Sequence, residues 1–178
     1  EFLEKGSYPD LALVFFSNMN IEHDRFKKWM DRLDVLQKSG RLDKIQIFFS
    51  CDALGKEGEY VRTGLDLAVA IKNFEYILHN TEFDQGINSA LTVTAVTGMP
   101  AMVKYINQCS NIKPIYWSMM KANQHEIGPR EYMYPGIFGA KINDWGLREA
   151  VESFDTTSHG HPDSVKVNHK TYMTGIIK

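Results

Sequence analysis

Short apolar runs and amphipathic stretches alternate along the chain. The apolar runs predict strands, because a strand of a parallel sheet is buried on both faces and is therefore apolar throughout. Between these runs, apolar residues recur at intervals of three and four, which indicates helices with one buried side. The predicted strands are 11–16, 44–52, 87–96 and 114–119, and the predicted helices are 22–38, 65–79, 99–109 and 143–154.

The order of these elements predicts the fold class. Alternating strands and helices favour an α/β fold with a mostly parallel sheet and right-handed crossovers. A complete eight-unit barrel takes about 250 residues, and this chain has 178. We therefore expect a sheet of βα units equivalent to part of a TIM-like (βα) barrel, with residues 1–155 as the partial barrel domain and 156–178 as a polar C-terminal tail. An open sheet and two mutually complementing copies are the other arrangements that fit the pattern.

Composition and charge indicate which classes of binding partner are not expected. The formal net charge of −2 gives no electrostatic reason to expect nucleic acid or an anionic membrane. No apolar run approaches the roughly 20 residues that span a bilayer, and the first residues lack the pattern of a signal peptide. The two cysteines, Cys51 and Cys109, predict free thiols of a reduced compartment. We thus expect a cytoplasmic protein without a nucleic-acid or membrane partner.

Polar residues mark the end of the second predicted strand, which is the edge where ligands bind in parallel α/β folds. Ser50 and Asp52 share a face of this strand because side chains alternate. A carboxylate accepts hydrogen bonds from ribose hydroxyls or an ammonium group, and the nearby Arg62 is suited to a carboxylate or phosphate. The structural alternatives are that Asp52 caps the loop, Ser50 bonds a backbone carbonyl and Arg62 pairs with Glu59.

The third predicted strand also has a polar side. On a strand that should be buried, such a side indicates a ligand cavity, or alternatively the solvent side of an edge strand. The residues that share it are Asn88, Ala90, Thr92 and Thr94.

Six histidines are present, but they form no known metal motif. The densest pair, His159 and His161, lies in the polar tail, where this spacing alone is a weak signal. We interpret the tail as solvated and predict no metal-ligating residues.

Several segments together resemble radical S-adenosylmethionine (radical SAM) proteins, and in particular the subgroup that carries a twitch domain. In that family a strand ending in polar residues precedes an Arg-Gly element and a helix, as it does here. The resemblance extends from Leu11 to Phe154. The matching segments are 45–55, 59–66, 73–78, 87–92 and 132–139.

The resemblance implies positions for the cofactor S-adenosylmethionine. Ser50 and Asp52 would lie beside its ribose and methionine part, and Arg62 would meet its carboxylate. Asn18 would belong to the polar pair that ends an earlier barrel strand. The remaining residues implied as cofactor contacts are Asn88, Thr92 and Trp117, and the resemblance implies that Thr94 and Ser118 line the same strands.

The same resemblance identifies what the sequence lacks. The family's C-x-x-x-C-x-x-C motif, which holds a [4Fe–4S] cluster, and its Gly-Gly-Glu element are both absent. The cluster has no ligands without three thiolates. We expect an N-terminally truncated member of the family, inactive as it stands, in which neither S-adenosylmethionine nor a [4Fe–4S] cluster is bound.

A second hypothesis is a non-catalytic α/β binding or assembly module. A partial barrel exposes strand edges and one apolar face, so we predict self-association as a homodimer through these edges. A third hypothesis, a small hydrolase or transferase that uses Asp52 and a histidine, has no recognisable pairing of nucleophile and base.

Overall fold

A series of strands and helices follows the predicted alternation in the computed structural model, which describes residues 2–90, 92 and 94–120. The predicted helix 143–154, the matching segment 132–139, the domain boundary at residue 155 and the histidine pair of the tail lie outside the described residues. In chain order the elements are α1 (Phe2–Lys5), β1 (Tyr8–Ser17), α2 (His23–Lys38), β2 (Leu42–Ser50), α3 (Lys56–Val61), α4 (Leu67–Asn80), β3 (Asp84–Ala90), a 3₁₀ turn (Val96–Gly98), α5 (Met99–Ser110) and β4 (Ile115–Met120).

The four strands form one sheet in the order β1-β2-β3-β4, and every neighbouring pair is parallel. Each strand therefore pairs with the next strand along the chain, as successive strands do in a (βα) barrel, whereas a doubly wound sheet reverses its order. The predicted α/β fold with a parallel sheet of βα units is confirmed. Right-handed crossovers between adjacent strands place the connecting helices on the same face of the sheet.

The hydrophobic core lies between this face and the helices. Alternate residues of β2 point into it, and Ile45, Ile47 and Phe49 are all buried. The ring of Phe49 packs against Phe74 of α4, with the ring centroids 5.5 Å apart. The buried residues that alternate along β2 thus pack against the apolar side of α4 in one layer.

Side chains at the helix starts explain where the two longest helices begin. The Glu22 carboxylate accepts hydrogen bonds from the backbone N–H groups of Asp24 and Arg25, each at 2.9 Å. Asp66 accepts one from the N–H of Val69 at 3.0 Å. These contacts satisfy amide groups that have no partner within a helix.

The first strand differs from its prediction. It is longer than expected, and it lies at the edge of the sheet rather than being buried on both faces. Val14 is 52% exposed and Phe16 is 62% exposed. Both residues lie on the face of the sheet opposite Ile47 and Phe49, and an edge strand has a neighbour on one side only, so an apolar run does not guarantee burial.

The third strand begins three residues before the predicted start and ends at Ala90, so Thr92 and Thr94 do not extend its polar side. The chain turns here, because the N–H of Ala95 donates to the carbonyl oxygen of Thr92 at 3.1 Å. Thr92 and Thr94, whose β-branched side chains suggested a strand, belong to this turn. Helix α3, in the segment between the second strand and α4, was also not predicted.

Within the part of the chain that the structure describes, every helix is too short or too polar to cross a membrane.

Candidate functional site at the strand ends

Strand register places three polar side chains side by side near the carboxyl ends of adjacent strands. Ser50 of β2 pairs with Asn88 of β3, and Asn88 pairs with Ser118 of β4. Register partners in a sheet point to the same face, with neighbouring strands about 4.8 Å apart. All three residues are partly accessible. We call Ser50, Asn88 and Ser118 the polar row; it lies on the face of the sheet opposite Ile47 and Phe49.

Aromatic residues fill the preceding layer of the same face. Phe16, Phe48, Gly86 and Tyr116 are in register across the four strands. The rings of Phe16 and Phe48 are stacked, with centroids 5.0 Å apart and planes inclined by 11°. We call these four residues the aromatic floor. This aromatic layer therefore lies directly beside a row of hydrogen-bonding groups.

The predicted residues Asp52 and Arg62 meet each other. The Nη2 of Arg62 donates to Oδ1 of Asp52 at 3.1 Å, and its Nε lies 2.9 Å from Oδ2. The same Oδ1 accepts the backbone N–H of Ala90 at 2.8 Å. Asp52 is buried and ties the end of β2 to the end of β3, which is close to the capping role considered for it from sequence. Arg62 pairs with Asp52 rather than with Glu59.

Asn18 follows β1 directly and is exposed. Its Oδ1 accepts the backbone N–H of Asn20 at 3.1 Å, so it shapes the loop after β1. Within this loop Met19 adopts φ 56°, a left-handed conformation that is uncommon for residues other than glycine.

Asn73 of α4 holds this loop, and sequence reasoning missed it. Its Nδ2 donates to the carbonyl oxygens of Met19 and Ile21, at 2.9 and 2.7 Å. Its Oδ1 lies 2.7 Å from Nδ1 of His23. Because both amide hydrogens are used, Oδ1 acts as the acceptor and Nδ1 of His23 carries the proton. A polar residue between apolar positions of a predicted helix was the available signal.

Thr92 and Trp117 are not part of the polar row. The Thr92 hydroxyl bonds the Thr94 hydroxyl at 3.0 Å in the turn after β3. Trp117 is fully buried on the helix-covered face, and its indole N–H donates to Oγ of Ser89 at 3.1 Å. Of the residues predicted as cofactor contacts, Ser50 and Asn88 are brought together, and Asp52 with Arg62 forms a separate pair at the same edge.

The two cysteines are free and buried. Burial raises the pKa of the Cys51 thiol to about 12 and that of the Cys109 thiol to about 11. Both thiols are therefore protonated at neutral pH, whereas iron–sulfur ligands are thiolates. The residues of this chain do not fit a [4Fe–4S] cluster, since the whole sequence supplies only two cysteines. Across residues 2–90, 92 and 94–120, no group of three or more His, Cys, Asp or Glu side chains is placed to hold a metal ion.

Comparisons with protein-family models, with curated proteins and with solved structures found no match for this chain. Function is therefore inferred from the polar row, the aromatic floor and the Asp52–Arg62 pair.

Proposed function

We propose that this chain is the later part of a radical SAM-type (βα) barrel and that the polar row contacts S-adenosylmethionine. The observation that carries the proposal is the register of Ser50, Asn88 and Ser118 on one face, near the carboxyl ends of three adjacent parallel strands. Parallel α/β proteins bind their ligands at this edge. Two hydroxyls and one amide supply both donors and acceptors, which suits ribose hydroxyls and the polar groups of an amino acid.

The Asp52–Arg62 pair has a supporting role in this proposal. Asp52 engages the Nε and Nη2 side of the guanidinium and fixes the position of Arg62. Arginine has five N–H donors, so the pair does not exhaust them. We assign the remaining Nη1 group to the carboxylate of the cofactor.

The cluster that reduces S-adenosylmethionine in radical SAM proteins does not fit this chain, so we propose no reductive cleavage by the chain alone. Binding of the cofactor is then weak, since it rests on the strand ends only. The free, buried thiols suit a reducing compartment such as the cytoplasm.

An NMR titration with S-adenosylmethionine tests the proposal. We expect shifts centred on Ser50, Asn88 and Ser118, and at least a threefold weaker affinity in Asn88→Ala, in line with the loss of a hydrogen bond. The matched control is Asn111→Ala, which changes an exposed asparagine at the end of α5. Absence of binding to the unmodified chain, or equal weakening in both variants, would contradict the proposal.

A second candidate function is an assembly module, and the distribution of exposed apolar residues favours it. Among the described residues, six of the eight large apolar side chains that are exposed lie on β1 or α2. An apolar cavity of about 590 Å³ opens between α1, β1 and α2, lined by Leu3, Phe15 and Trp29 among others. We propose a homodimer that forms through the β1 edge. Sedimentation over a range of protein concentrations tests it, and a monomer throughout would exclude it.

A further inference from the structure

The cavity between α1, β1 and α2 opens on the helix-covered face of the sheet. Phe15 of β1 points to this face, because its register partner Ile47 is a buried core residue that also lines the cavity. Phe15 and Trp29 of α2 both line the cavity, and each is 38% exposed. The cavity therefore presents apolar surface to solvent at the β1 edge, on the face opposite the polar row.

The lining of the cavity is apolar except at two positions. Nine of the eleven described residues that line it are apolar, and its volume of about 590 Å³ is typical of a small-molecule site. Ser17 is one of the two polar residues, and its Oγ already accepts the backbone N–H of Met19 at 3.0 Å. Arg32 is the one charged residue among the described lining residues, and it is exposed, so it marks where the cavity meets solvent.

An aromatic wall stands beside this charge. Trp29 and Arg32 are three residues apart on α2 and are therefore neighbours on the helix surface. The guanidinium of Arg25 lies over the Trp29 ring, 4.5 Å from its centroid, and helps to hold the ring in place. Arginine has five N–H donors and matches the geometry of a carboxylate, so Arg32 is able to hold a carboxylate beside another partner.

We propose that this cavity binds a fatty-acid-like ligand, an unbranched apolar chain with one terminal carboxylate. Arg32 binds the carboxylate, and the chain covers Phe15 and Trp29, which removes apolar surface from water. A peptide is a poorer match, because its amide groups would find few partners along an apolar wall. The inference does not depend on the proposed function, since the cavity and the polar row lie on opposite faces of the sheet.

Calorimetric titrations with decanoate, decanol and acetate test the inference. Decanoate carries both the chain and the charge, decanol carries the chain, and acetate carries the carboxylate. We expect decanol to bind about tenfold more weakly than decanoate, because it lacks the charge-assisted hydrogen bonds to Arg32. Acetate should show no binding at the same concentrations, since it covers almost no apolar surface.

Two variants of α2 test the role of the guanidinium. Arg32→Gln should weaken decanoate binding about tenfold and leave decanol binding unchanged, because only the acid uses the charge. Lys28→Gln is the matched control, since it removes the same charge from an exposed position of the helix that does not line the cavity. Circular dichroism checks that each variant is folded. If Arg32→Gln does not fold, the comparison of decanoate with decanol on the unmodified chain still decides.

Trp29→Phe locates the site. Decanoate should change the tryptophan fluorescence of the unmodified chain but not that of Trp29→Phe, in which an apolar ring replaces the indole. A change that persists in Trp29→Phe places the ligand elsewhere and overturns the inference.

Three other results overturn it as well. They are equal affinity for decanoate and decanol, equal weakening of decanoate by Arg32→Gln and Lys28→Gln, and no binding of decanoate to the unmodified chain. The titrations are made at low protein concentration, because a dimer formed through the β1 edge competes for the cavity. A chain that is dimeric at every concentration and does not bind decanoate assigns the cavity to a second copy, and this result leaves the proposed role of the polar row untouched.

Discussion

Strands β1 and β2 are neighbours with similar apolar content, yet they occupy very different environments. In β2 the buried and partly exposed residues alternate, and Ile45 and Phe49 are fully buried. In β1 no residue is buried, and Phe15, the register partner of the buried Ile47, is 38% exposed. The difference comes from position, since β2 has a strand on both sides and β1 has one on a single side. An apolar run therefore predicts a strand more reliably than it predicts burial.

The test with the largest expected change in stability removes one aromatic ring from each of these two strands. Phe49→Ala should lower the free energy of unfolding by about 3–5 kcal/mol, because it leaves a cavity against Phe74. Phe16→Ala should cost about 1 kcal/mol or less, since its ring is mostly in solvent. Urea unfolding at low protein concentration measures both values. Equal losses would mean that β1 is as well packed as β2.

The loops after these strands are held differently, and a second test compares them. The loop after β1 depends on Asn73 of another element, whereas the end of β2 is held by its own Asp52. Asn73→Ala removes the side-chain hydrogen bonds to the carbonyl oxygens of Met19 and Ile21 and should cost about 1–3 kcal/mol in urea unfolding. Asn80→Ala, an exposed change in the same helix, should cost less than about 0.5 kcal/mol. A similar cost for both would show that Asn73 does not hold the loop.

A third test addresses the exposed edge itself. Phe16→Lys places a charge on the apolar face of β1 and should weaken self-association at least tenfold, because charged side chains disfavour pairing at a strand edge. Sedimentation velocity measures the dissociation constant. Val35→Lys is the control, as it changes an equally exposed residue of α2. If Phe16→Lys leaves the dissociation constant unchanged, the interface does not involve β1.

The smallest expected effect concerns the start of α2, the helix that follows β1. Hydrogen bonds from the N–H groups of Asp24 and Arg25 lower the pKa of the Glu22 carboxyl. Its folded-state pKa lies below the unfolded one, so its stabilisation is present above the unfolded pKa and is lost as pH falls through the folded pKa. The stability difference between the unmodified chain and Glu22→Gln should therefore shrink between about pH 7 and about pH 3. A stability difference that stays constant over this pH range would contradict the capping role of Glu22.

Part of the site was predictable from sequence. The period of two correctly placed Ser50 on the face opposite Ile47, and the polar pattern singled out Asn88. Sequence could not show that these residues are register partners, because register depends on how the strands pair. Nor could it show that Arg62 would meet Asp52, since the two become neighbours only when the chain after β2 folds back.

Two residues show where local signals fail. Trp117 was assigned to the site, but the alternation along β4 does not say which face the helices cover. Thr92 was assigned to a strand from its β propensity, which tertiary context readily overrides. In both cases the missing information was the packing of one element on another.

The sequence by itself determined the α/β class, the alternation of strands and helices, and the identity of the polar residues at the end of β2. These follow from hydrophobic periodicity, which each segment carries locally. The tertiary structure decided that β1 is an exposed edge, that Ser50, Asn88 and Ser118 form a row, and that Phe48 stacks on Phe16. Each of these depends on contacts between residues far apart in the chain, whose partners are set by strand order and register.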